Sequence, residues 1–454
     1  MDRNFQRLNK TASGALRMTS IYFSLIFIVG MSVYSSASEE FAEFFNTVSP
    51  ILILLGCLYA AFSLVFQNVY IIVTPIPWLY VGFSLYFGVG ALVWSFGDAI
   101  TIAYIQRATR LPIDAFGLYR ANLMSCAGIA LISLFLILFD RVLGWAKRAP
   151  PQTLKLDLAQ GIPAFWAMIL VGGVVKYLIL IPASFGSAFV VVPSVIAQLS
   201  VFLQAAIIAG FLLVANGARH LRPVLSVLIL TELMSGFMSG SKSAILFVIL
   251  STIIGWCVSS RSLRGPGLLG GLTILFYSQF LTPYISYVRS RFERGGTTSF
   301  ATFSSATSEF LDGARTIEYL DVGARMWWAR LSFASYQNFA LREYDFGRPG
   351  ESLNEIMWAL VPRIFFPDKQ SVGYGAQLSD ILNPGSSAWT LTSMTWLAEG
   401  YWNLGITGLV LVCFSAALIL SLFTRIIVST FLQGQIAFAL ITVLSIQTAI
   451  SVES

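Results

Sequence analysis

Residues 353–375 read LNEIMWALVPRIFFPDKQSVGYG and concentrate charge and stiffness in a chain that is otherwise apolar. Pro362 and Pro367 fix their own φ angles and push the residues before them toward extended backbone. The segment therefore leaves the helix suggested by LNEIMWAL and runs as a stiff hook. Phe365 and Phe366 can wedge into apolar surface, which would hold Arg363, Asp368 and Lys369 at a boundary between water and membrane. A guanidinium offers a planar fork that matches two diphosphate oxygens, and an ammonium adds a compact positive charge. The hook is thus a candidate diphosphate clamp, with Arg363 and Lys369 as its cations. The competing reading is a Pro-bounded loop in which Arg363 snorkels to lipid headgroups and Asp368 and Lys369 form a solvated pair.

Three further stretches carry candidate chemistry. YVRSRFERGG (287–296) places Arg289, Arg291 and Arg294 just after an apolar run, and Arg291 and Arg294 share a face if helical. They suit either a phosphate group or anionic lipid. SGFMSGSKSAIL (235–246) crowds small residues around a turn that holds Lys242. Amide groups free at a helix start, reinforced by Lys242, would hold an anion; the same residues also make a tight hairpin with a snorkelling lysine. LTSMTWLAEGYWNLGITGLV (391–410) leads into another apolar run, with Glu399 at its boundary. A carboxylate there is costly unless partnered or in use. It suits a general base whose pKa is raised by partial burial, with Asp368 as the second candidate. Tyr401 and Trp402 either stack on sugar rings or belong to the interfacial aromatic belt.

These residues need a scaffold, and the composition specifies its kind. The 454 residues are 56% hydrophobic and 11% charged, with mean hydropathy +0.76. Soluble domains carry about 25% charged residues. Several apolar runs reach the roughly 18 residues needed to cross a hydrocarbon core, and the alternation of a β-barrel is absent. The expectation is an all-α, polytopic bundle of about 11 spans, or 12 if Pro75 and Pro77 break one. The spans fall near 19–37, 48–67, 70–95, 121–140, 162–183, 191–215, 223–239, 241–260, 267–283, 400–424 and 430–452. The N-terminal segment has the charge pattern of a signal sequence, with SSA at 35–37, and is read as the first span.

Charge then orients the spans. With the N-terminus cytoplasmic, RVLGWAKRAPPQTLK (141–155), ARHLR (218–222), SRSLR (260–264) and Arg425 fall inside and are basic, whereas SEEFAEFFN (38–46) falls outside and is acidic. Residues 1–283 form nine spans with short loops, 284–399 a long external loop, and 400–454 the last spans. The long loop holds ten basic and twelve acidic residues, yet its aromatic, amphipathic stretches at 304–320 and 324–341 predict a partly helical, ordered segment. The net charge of +6 reflects loop bias and gives no reason to expect nucleic acid. Cys57, Cys126, Cys257 and Cys413 all lie in apolar runs and read as core residues. The only histidine, His220, excludes a metal centre needing several, and no metal is assigned. GPGLLGG (265–271) opens a span with no strand before it, so it is no dinucleotide loop.

Taken together, GSKSA (240–244), VPRIFFPDKQSVGYG (361–375) and WLAEGYWNLGITGLV (396–410), in this order around a long external loop, resemble the Wzy-type oligosaccharide repeat-unit polymerases. Lys242 stands where that family more usually has arginine. The resemblance implies a metal-independent glycosyltransferase of the GT-C type, without cofactor, in the bacterial inner membrane. Its substrates would be oligosaccharides on undecaprenyl diphosphate, met at the periplasmic face among membrane lipids, with a chain-length regulator protein as a further partner. Arg363 and Lys369, helped by Arg289, Arg291, Arg294 or Lys242, would hold the diphosphate, and Glu399 or Asp368 would take the acceptor's proton. Two alternatives stay open. An O-antigen ligase shares the layout but usually uses a loop histidine, which is missing here. A lipid-oligosaccharide flippase would use charges within the spans, where this chain has chiefly Lys176 and Glu232. If buried, those two can pair across helices; if exposed to a cavity, they would line a lipid path.

Overall fold

The computed structural model of the protein describes residues 3–145, 156–184, 194–291, 300–312, 327–352, 378 and 394–451. Among them the architecture is entirely helical: α1 (Arg3–Tyr34), α2 (Glu39–Gln67), α3 (Pro75–Phe96), α4 (Ala99–Thr109), α5 (Ala115–Leu143), α6 (Leu158–Ala183), α7 (Ile196–Ala215), α8 (Arg219–Met238), α9 (Lys242–Ser260), α10 (Arg264–Val288, helical through Arg291), α11 (Phe300–Asp312), α12 (Ala334–Asp345), α13 (Trp396–Ser429) and α14 (Ala439–Ile450). Ten of these helices are long and apolar enough to cross a membrane, and the chain is a multi-pass membrane protein. Exposed apolar stripes such as Met18, Ile21, Leu25 and Ile28 on α1 recur at helical spacing, as lipid-facing surface does.

Helix starts explain several polar residues at span boundaries. Side-chain oxygens of Ser38, Asp98, Asp114, Asp157, Ser241 and Thr395 each accept a backbone N–H from the first turn of α2, α4, α5, α6, α9 and α13. Each satisfies a donor that a helix start otherwise leaves unpaired. The third span expected from residue 70 begins instead at Pro75, after a 3₁₀ turn at Val69–Val73. Proline fits the first helical turn, where its missing N–H costs nothing. The expected span at 430–452 is 3₁₀ turns around Gly434 (φ 100°), followed by a shorter apolar helix, Ile436–Ile450. The run 400–424 is part of a longer helix that starts earlier, at Trp396.

Two large apolar clusters hold the bundle together. One joins α1, α2, α3, α5, α12 and α13 around residues such as Phe23, Ile53, Tyr80, Phe83, Ile129 and Leu397. The other joins α6, α7, α8, α9 and α14 around Phe165, Ile207, Leu212 and Val443. A smaller aromatic cluster ties α10 and α11 to α9 through Ile245, Tyr284 and Phe310. Counting alternating helix ends, Arg141, Arg219, Arg222, Arg261 and Arg264 fall at one end of the bundle. The segment 284–399 joins helices at the other, called here the loop end.

The described part of that segment packs on the spans. Residues 84–89 form a π-helical turn within α3, which loosens the regular pairing of its carbonyls. Trp328 donates its ring N–H to the Val89 carbonyl at 2.6 Å, and Trp94 of α3 donates to Ser332 Oγ at 2.8 Å. Gly90 permits the contact, since a Cβ there would collide with the Leu331 carbonyl. Further along, Gln337 of α12 donates to Ser125 Oγ of α5 at 3.0 Å. The described part of the stretch 324–341 packs on the spans.

Candidate functional site

The site is built on the start of α13. Its sequence WLAEGYWNLGITG carries glycines at 400, 405 and 408 because the helix breaks and restarts there. Leu404 (φ −135°) and Gly405 (φ 60°, ψ −140°) leave helical geometry, the latter in a region that favours glycine. Gly400 and Gly408 then lie backbone against backbone, and a Cβ on Gly408 would collide with the Gly400 carbonyl. This packing turns residues 396–403 into a short separate helix at the loop end.

Glu399 lies on that short helix and is only 8% exposed. Asn403, one turn later, donates to the Glu399 carbonyl at 2.8 Å and to Ser352 Oγ at 2.7 Å. The turn is gripped from outside by residues following α12. Trp402 donates its ring N–H to the Arg348 carbonyl at 3.1 Å, and its own carbonyl accepts the Gly350 N–H at 3.0 Å. Phe339 meets the Trp402 ring edge to face at 5.6 Å between centroids. Trp402 is therefore 8% exposed and largely enclosed, whereas Tyr401 is more open.

Tyr401 joins a charged network. Its hydroxyl donates to Asp345 Oδ1 at 3.3 Å, while Asp345 Oδ2 accepts from the Arg120 guanidinium of α5. The Tyr344 ring stands edge-on to Tyr401 at 5.4 Å and packs against Gly405. Arg348 pairs with Glu343 at 2.8 Å in the more exposed surround. Beneath, burial pushes the Tyr336 phenol of α12 up to about 12, so it stays neutral at ordinary pH. The arrangement combines a sequestered carboxylate, a partly open aromatic ring and a cation held on an acid. It can accept a proton and present hydrogen-bonding groups to a polar substrate.

The other described candidates lie on different helices. Lys242 opens α9 in a tight hairpin: Gly236 abuts Ile245, Gly240 adopts φ 59° and Ser241 caps the helix. Arg289 and Arg291 occupy the last turn of α10, which packs with α11 through Tyr287 to Glu309 at 2.9 Å. Arg363, Asp368, Lys369 and Arg294 lie outside the described residues. Among those described, no group of three or more His, Cys, Asp or Glu is placed to hold a metal.

Lys176 and Glu232, charges well inside the spans, pair at 2.8 Å, and Tyr177 donates to the same carboxylate at 2.7 Å. Residues 174–180 form a π-helical turn, which brings both Lys176 and Tyr177 onto Glu232. Arg120, Asp345, Tyr344 and Asn403 were not singled out in the sequence. The available signal was Arg120 itself, a cation near the loop-end start of a span. Comparison of the chain with family models, with curated proteins and with solved structures found no match in any of the three.

Proposed function

We propose that the protein is a polymerase of bacterial surface polysaccharide, of the O-antigen type, working in the inner membrane with the loop end facing the periplasm. The observation that carries the reading is Glu399: a nearly buried carboxylate on a kinked helix start whose Trp402 and Asn403 bond the segment following α12. In this reading the acceptor is a single repeat unit on undecaprenyl diphosphate, and its terminal sugar hydroxyl attacks the anomeric carbon of the growing glycan. The new glycosidic C–O bond forms, the C–O bond to the lipid diphosphate breaks, and Glu399 takes the hydroxyl proton. Asp368 is the second candidate base. Positive charge must meet the departing diphosphate. Arg363 and Lys369 supply it, with Arg289, Arg291, Arg294 or Lys242 as further cations, on a GT-C-like scaffold that uses no cofactor. Tyr401 offers the more open aromatic face for a sugar ring, and Trp402 supports it.

The test is a gel of surface polysaccharide from a strain lacking the gene, complemented with wild type, Glu399→Gln or Arg363→Ala. The expected outcome is glycan capped at one repeat unit in the deletion, a full ladder with wild type, and none with either variant at equal protein level. Loss of even the single unit in the deletion would place the protein at flipping or ligation and overturn the reading. A full ladder with Arg363→Ala alone would retire the hook as a clamp and leave the rest.

A further inference from the structure

Three elements that meet at the loop end come from distant parts of the chain: the start of α5, the end of α12 and the short helix 396–403. One carboxylate joins them. Asp345, the last residue of α12, receives Arg120 on Oδ2 and the Tyr401 hydroxyl on Oδ1. Tyr344 packs on Tyr401 and on Gly405, at the helix break itself. Glu399 lies two residues before Tyr401 on the same short helix, so whatever holds Tyr401 holds Glu399. The Arg120 and Asp345 side chains remain 27% and 40% exposed. A partly solvated pair adds little to folding stability. Its geometry matters more to a reaction, where a displacement of about 1 Å can cost roughly a hundredfold in rate.

We infer that Arg120 and Asp345 are positioning residues: they brace the Glu399–Tyr401 turn across α5 and α12 at the place the chemistry needs it. The inference rests on the reading of Glu399 as the proton acceptor. Arg120 contributes as half of a fork held on protein, and Asp345 as the acceptor that links it to Tyr401.

The test uses the full-length protein in lipid nanodiscs with undecaprenyl-diphosphate-linked repeat units as substrate. Arg120→Ala and Asp345→Asn are each expected to lower kcat at least tenfold, a barrier change of about 1.4 kcal/mol, with KM within about threefold and an unchanged thermal midpoint. The double variant Arg120→Asp with Asp345→Arg restores part of the rate, which a lost substrate ligand would not. Amide hydrogen exchange over residues 396–405 reads the brace without reference to activity, and faster exchange confined to that turn is expected in both single variants. Unchanged exchange with wild-type kcat overturns the brace. A rise in KM alone for Arg120→Ala overturns it too, and assigns Arg120 to the substrate's diphosphate. Absence of polymer with the wild-type protein overturns the proposed reaction instead, and the exchange measurement still decides the brace.

Discussion

Two ion pairs of similar chemistry occupy opposite settings in this protein. Lys176–Glu232 lies within the spans, with Glu232 1% exposed and Tyr177 completing its hydrogen bonds. Arg120–Asp345 lies at the loop end, where both side chains are partly exposed and Asp345 also binds Tyr401. The difference teaches where a charge holds the fold and where it can serve a site. A charge buried in the bundle must be matched, because its desolvation is large and its partner cannot turn to water. A charge at the edge keeps an alternative in solvent, so the same kind of contact can be made, broken or lent to a substrate at small cost in stability.

The sharpest way to break that comparison is at Glu232. Glu232→Ala strands Lys176 and Tyr177 inside the bundle and is expected to destabilise by about 3–5 kcal/mol, read as loss of monodisperse protein in detergent. The double variant Lys176→Met with Glu232→Leu should recover most of it. A mild Glu232→Ala phenotype would show that water or headgroups reach the pair. Next comes the helix break. Gly408→Ala drives a methyl into the Gly400 carbonyl and should cost about 1–3 kcal/mol in thermal stability. Gly267→Ala in α10, where a Cβ meets open space, should be neutral or stabilising by up to about 1 kcal/mol. At the loop end, Arg120→Ala should change stability by at most about 1 kcal/mol, even where it lowers the rate.

The last effect is confined to alkaline pH. The Tyr336 phenol is raised from its ordinary value of 10 to about 12 by burial, so the folded state favours its neutral form. That contribution is complete below pH 10 and is lost as pH rises toward about 12, because the unfolded chain releases the proton first. Tyr336→Phe should flatten this part of a thermal-midpoint profile.

Spans were legible in the sequence because the driving signal is a long local run of apolar residues, and most boundaries fall within a few positions. Where a boundary moved, local chemistry explains it: Pro75 opens a helix instead of interrupting one, and Gly434 separates the last apolar run into turns and a short helix. The glycines of α13 were legible as a pattern, but not the backbone contact between Gly400 and Gly408 that requires them. Glu399, Tyr401 and Trp402 could be found because they lie together in one segment. Their partners could not, because Arg120 and Asp345 stand 225 residues apart and each alone is an ordinary surface charge. Pairing of Lys176 with Glu232 was one of two open readings, since the π-helical turn that sets the facing of residue 176 has no simple periodic signature.

The docking of Trp328 onto Val89 has a consequence in time. These partners are 239 residues apart. At about 5–20 residues per second, the usual rate of synthesis, roughly 12–48 s pass between making the carbonyl and making the indole that binds it. Throughout that interval the π-helical turn of α3 is without its indole partner. The loop end of this protein is therefore finished late, after nearly three quarters of the chain has been translated.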